Sequence, residues 1–139
     1  MKAKKTILCV DDHEQSLSIR KVMLETRGYR VLMCTSGEQA LEAFHLGGID
    51  LVLTDMVMPG IGGKALAERV KQISPTTPVI LFSGQVKHYD SETRADIFLP
   101  KGTFAPTDLL ERIRLLLARR RTPRRADDVP PGELRTVAG

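Results

Sequence analysis

The sequence predicts a parallel α/β sandwich, and three observations carry that reading. Five short apolar runs recur along the 139 residues, at Ile7–Val10, Arg30–Cys34, Leu51–Thr54, Val79–Phe82 and Ile97–Leu99. The runs are continuous rather than alternating, as in strands covered on both faces. Segments of helical period separate most of them, and a β-α-β-α order makes successive strands parallel with helices on both sides.

The elements follow in turn. A first helix is expected over 13–27, with Leu17, Ile19, Val22, Met23 and Leu24 as its apolar set and Gly28 as its C-terminal cap. Ser36-Gly37-Glu38-Gln39 is a capping-box pattern that opens a second helix. Leu41 and Phe44, with Ala40 beside them, face inward there, and Gly47-Gly48 closes it. A third helix runs from about Gly63 to Ile73 through Leu66 and Val70, stopping before Ser74-Pro75. Pro106 suits the first position of the last helix, whose stripe is Leu109, Leu110, Ile113, Leu116 and Leu117. Gly84 to Thr93 holds few apolar residues, so a fourth helix between the last two strands is expected to be short or absent. The arrangement natural to these elements is a flavodoxin-like three-layer sandwich with five parallel strands in the order 2-1-3-4-5.

Length and composition fit one domain with a sizeable core over 1–119, followed by a flexible Arg-rich tail over 120–139. The formal net charge is +4. From residue 119 onward the chain holds six arginines (Arg119, Arg120, Arg121, Arg124, Arg125, Arg135) against Asp127, Asp128 and Glu133. The domain itself is therefore nearly neutral. The tail is short, lacks interleaved aromatics and is followed by acids, so it reads as solvated rather than as a nucleic-acid-binding segment. Met1-Lys2-Ala3-Lys4-Lys5 is charged, but Asp11-Asp12 cuts off the apolar run that an export signal needs. No segment approaches membrane-spanning length, and Cys9 and Cys34 read as buried free thiols. A cytoplasmic location is the expectation that follows.

In a doubly wound sheet, sites form beyond the carboxyl ends of the strands. Asp11 and Asp12 follow strand one, Asp55 ends strand three, Ser83 follows strand four and Lys101 follows strand five. Strands one and three are neighbours, so the pattern becomes a cluster. Three carboxylates drawn together repel one another unless a cation intervenes. A hard divalent ion, Mg2+ above all, suits such an oxygen site and leaves room for a phosphoryl oxygen. An aspartate in that setting can attack phosphorus, with the metal and a lysine neutralising charge and Ser83 donating a hydrogen bond.

Val10-Asp11-Asp12-His13, Asp55-Met56-Val57-Met58-Pro59-Gly60 with Gly63, Ser83-Gly84 and Ala95-Asp96-Ile97-Phe98-Leu99-Pro100-Lys101 carry a family resemblance over residues 6 to about 118. In order and spacing the chain resembles a response-regulator receiver domain of two-component signalling. The resemblance implies Asp55 as phosphoacceptor, with Asp11, Asp12, Asp55 and the backbone carbonyl of Val57 as Mg2+ ligands. It implies Lys101 as the phosphoryl partner, Ser83 as the switch hydroxyl and Phe98 as the switch aromatic. The donor would be a histidine kinase or histidine phosphotransfer protein, and output would pass through a partner surface. The chain would act chemically only on its own phosphoryl group. Residues 120–139 leave too little chain for a DNA-binding effector domain.

Two departures from the family stand out. Lys101 precedes Gly102, where the family usually has proline. The Ser83–Lys101 stretch is shorter than usual by about four residues, roughly one helical turn. That altered region motivates a second reading, an adaptor that binds partners regardless of phosphorylation. A third is nucleic-acid binding through the basic tail. Lys64 with its glycines is no phosphate-binding loop, because Met58 holds the upstream glycine position and Ala65 replaces the hydroxyl residue. His13 reads as a solvent-facing residue of the first helical turn.

Overall fold

Each apolar run forms a strand in the computed structural model, which describes residues 4–83, 96–100 and 105–120. The strands are β1 (Thr6–Val10), β2 (Arg30–Cys34), β3 (Leu51–Asp55), β4 (Val79–Ser83) and β5 (Ile97–Pro100). They form one parallel sheet in the order β2-β1-β3-β4-β5, the order expected from the sequence. The helices are α1 (Glu14–Thr26), α2 (Gly37–His45), α3 (Gly63–Ile73) and α4 (Pro106–Arg120). The segment expected to hold a short further helix, the Lys101-Gly102 step and the tail beyond Arg120 lie outside the described residues.

Side chains alternate across the sheet, so β1 to β4 each feed two cores. Ile7, Cys9, Leu51, Leu53, Ile80 and Phe82 pack with Leu17 and Leu24 of α1 and with Leu109, Ile113 and Leu117 of α4. Leu8, Val10, Val52 and Val79 pack with Ala40, Leu41 and Phe44 of α2 and Leu66, Ala67 and Val70 of α3. This is the three-layer sandwich. The continuous-run criterion succeeds for β1 and β3, which are buried along their whole length. It fails for β2, whose Arg30, Leu32 and Met33 are exposed because that strand lies at the sheet edge.

Local chemistry sets the helix ends. At the end of α1, Gly28 N–H donates to Glu25 and Tyr29 N–H to Leu24, a Schellman pair made by the left-handed Gly28 (φ 91°). Ser36 caps α2 by accepting from Gln39 N–H at 3.1 Å. The Gln39 side chain does not return to Ser36 N–H, as a full capping box requires. Its carbonyl oxygen accepts from the N–H and hydroxyl of Thr35 instead. At the opposite end of the sheet from the acids, Lys71 reaches Asp96 at 2.7 Å, and the same carboxylate oxygen accepts Val79 N–H.

The inward face of α1 departs from expectation. Ile19 and Val22 are exposed (69% and 67%), and the buried set is Leu17, Arg20 and Leu24. Those three lie at i, i+3 and i+7 and share one helical stripe. An arginine, absent from the expected apolar set, stands on the buried stripe.

Candidate functional site

The acids sit where β1 and β3 run out. Val10 pairs with Thr54, so Asp11 and Asp55 take the next positions along two adjacent parallel strands. By the two-residue period, Asp11 continues the row of Ile7 and Cys9, and Asp55 that of Leu51 and Leu53. Both are therefore directed towards the layer that contains α1. Asp11 is fully buried and Asp55 nearly so, whereas Asp12 is about one-third exposed at its side chain. Asp11, Asp12, His13 and Asp55 each bring one ligand atom to within 4.8 Å of all the others.

His13, expected to face solvent, is largely exposed but takes part in this group. Its Nδ1 lies 3.2 Å from an oxygen of Asp11 and 3.2 Å from one of Asp12. Its backbone N–H donates to Asp11 Oδ1 at 2.9 Å. The other oxygen of Asp11 accepts from Arg20 Nη1 at 3.1 Å. The Arg20 guanidinium carbon sits 4.2 Å from the centre of the Phe82 ring. Phe82 pairs with Asp55 across the β3–β4 ladder, so Arg20 touches both strands that flank Asp55.

The other expected residues are placed less fully. Val57 is exposed in the loop that leaves β3. Ser83 ends β4 opposite Pro100, and Phe98 pairs with Leu81. The orientation of the Ser83 and Phe98 side chains, and Lys101 altogether, lie outside what is described. Gly63 opens α3 against the end of β3: its N–H donates to the Met56 carbonyl, and a Cβ there would collide with the Asp55 carbonyl and with Leu81 Cδ2 at 2.7 Å. Only glycine lets α3 approach β3 this closely.

Two residues at the site were missed in the sequence. Arg20 had a signal: it lies three residues after Leu17 and four before Leu24, on the helical row that must be buried. His13 had only its adjacency to the acid pair. The group as a whole fits a hard divalent cation, since three carboxylates converge on one edge.

The comparisons agree with this geometry. The model of the response regulator receiver domain matches residues 7–114. The transcriptional regulatory protein CpxR of Escherichia coli is 37% identical over 117 residues, covering 81% of this chain and 49% of that protein. The autoinducer 1 sensor kinase/phosphatase LuxN of Vibrio harveyi is 36% identical over 80 residues, covering 58% of this chain and 9% of that protein. The chain thus spans about half the length of CpxR and a small part of LuxN. The response regulator TrrA of Thermotoga maritima, solved in complex with Mg2+-BeF, has a TM-score of 0.75 at 31% identity, covering 81% of this chain and 98% of that one. With the sheet order, the acidic edge and the family match in agreement, the chain belongs to the response-regulator receiver domains, the signalling domains of two-component systems.

Proposed function

We propose that this protein is a single-domain response regulator that accepts a phosphoryl group on Asp55 in a Mg2+-dependent reaction and signals through a partner surface. The observation that carries the reading is the convergence of Asp11, Asp12 and Asp55 at adjacent strand ends, with ligand atoms within 4.8 Å. A histidine kinase or histidine phosphotransfer protein is the donor. A carboxylate oxygen of Asp55 attacks the phosphorus of a phosphohistidine. The new O–P bond forms as the N–P bond breaks, and the electron pair leaves with the imidazole.

Asp11, Asp12 and Asp55, with the Val57 carbonyl, are the residues proposed to hold the cation. Mg2+ held there would supply positive charge that offsets the charge on phosphoryl oxygens. Ser83 is proposed as the hydroxyl that meets the phosphoryl group, Lys101 as its cationic partner and Phe98 as the aromatic that reports the change. The domain over 1–119 would suffice for this chemistry. No described helix is long and apolar enough to cross a membrane.

The test is labelling by a small phosphodonor such as acetyl phosphate. Label is expected on the wild type with Mg2+, and none after chelation or in Asp55→Ala. A well-folded wild type that takes no label under these conditions would contradict the reading.

A further inference from the structure

Burying an arginine is costly, and α1 does so on the stripe that elsewhere carries leucine. Its side chain is 10% exposed and ends against the fully buried Asp11. An ion pair taken out of water gains little net stability over apolar packing, so stability alone is a weak reason for Arg20. Local rules broken in this way concentrate at functional sites. The contacts say what it does. Arg20 engages Asp11 Oδ2, while Oδ1 accepts from the backbone N–H of His13 and lies beside its ring, in the group that also holds Asp12 and Asp55. The Phe82 ring fixes the guanidinium from its face, leaving it little freedom to swing away.

We propose that Arg20 is a positioning residue of the acidic edge: a permanent internal cation that orients Asp11 and weakens the grip of the site on a divalent ion. This rests on the reading of the acids as a cation site. One positive charge held beside three carboxylates cancels part of the attraction they exert, and burial prevents salt from screening it. The ion is thereby kept exchangeable, and the acids remain assembled when it leaves. Arg20 makes no contact with the phosphoryl group in this account.

Calorimetric titration with Mg2+ and with Mn2+ tests the proposal in the full chain. Arg20→Met and Arg20→Gln remove the charge at similar length, and Arg20→Lys retains it. Both neutral variants are expected to bind Mg2+ more tightly, on the order of tenfold, as loss of a nearby charge at intermediate dielectric implies. Arg20→Lys should stay close to wild type, and the tightening should survive high salt. In an Asp11→Asn background the Arg20→Met effect should shrink sharply. A residue that merely supported the fold would show weaker or unchanged binding when replaced, and that result in folded neutral variants overturns the proposal. If Arg20→Met fails to fold, Arg20→Gln against Arg20→Lys decides it. A folded wild type that binds neither ion overturns both this proposal and the cation-site reading beneath it. Normal wild-type binding without tightening overturns this proposal alone.

Discussion

Asp11 and Asp12 are adjacent in sequence and opposite in environment. Asp11 is enclosed and bound to Arg20 and to the N–H of His13, while Asp12 keeps contact with solvent. Their substitutions should therefore differ. Asp11→Asn is expected to cost about 2 kcal/mol, less than outright loss of one partner because asparagine keeps an acceptor for Arg20. Asp12→Asn should stay within about 0.5 kcal/mol of wild type. Urea midpoints measured without divalent ions compare the two, and equal effects would contradict the asymmetry. Cys9 gives a pH prediction from the same sheet. Burial pushes its thiol up to about 12 from 9.0, with Arg20 only partly offsetting the shift. The unfolded chain then ionises first, so stability is intact below pH 9 and falls as pH rises towards about 12. The slope is about 1.4 kcal/mol per pH unit from this group. Cys9→Ala should flatten alkaline unfolding in that window, and an unchanged slope would assign the loss elsewhere. In the native protein below pH 9, Cys9 should resist alkylating reagents until the chain unfolds.

At the scale of elements, the helix ends and the helix–strand contact at Gly63 make the sharpest predictions. Gly28 is left-handed with open space around the position of a Cβ, so Gly28→Ala meets backbone strain without a clash. The expected cost is about 1 kcal/mol, or about 3 °C in melting temperature. Gly63→Ala meets the Asp55 carbonyl and Leu81 and must push α3 off the strand that carries the proposed acceptor. It should cost more than Gly28→Ala and also lower Mg2+-dependent labelling, while Gly28→Ala leaves labelling unchanged. Equal loss of labelling in both would argue against the local explanation. The elements themselves were legible because their cues are short-range: apolar runs, Ser36, Gly28 and Pro106. The inward face of α1 differs from the expected one because composition and helical period disagree there: Ile19 and Val22 are apolar but lie off the buried stripe, and Arg20 is charged but lies on it. What puts Arg20 inside is Asp11 across the layer, a partner that helical periodicity alone does not display.

For the whole molecule, the sheet order and the acidic edge could be read because topology converts strand ends into neighbours. Once β1 and β3 are adjacent, Asp11 and Asp55 can hardly be apart. The inequality of the acids and the inclusion of His13 were not legible, because both depend on burial and side-chain direction in three dimensions. The described core ends with Leu116 and Leu117 of α4, both buried. A chain stopped after Arg120 is accordingly expected to melt with the full-length protein and to label equally well. A drop in either would give residues 121–139 a part in the domain.

The central claim concerns one atom, a carboxylate oxygen of Asp55 that captures phosphorus. Phosphorylation in Mg2+, reduction with borohydride and peptide mass spectrometry test it directly, since reduction converts an aspartyl phosphate to homoserine. The account predicts homoserine at position 55 and at no other aspartate. Homoserine at Asp11, Asp12 or another position, or none in protein that has taken label, would contradict it.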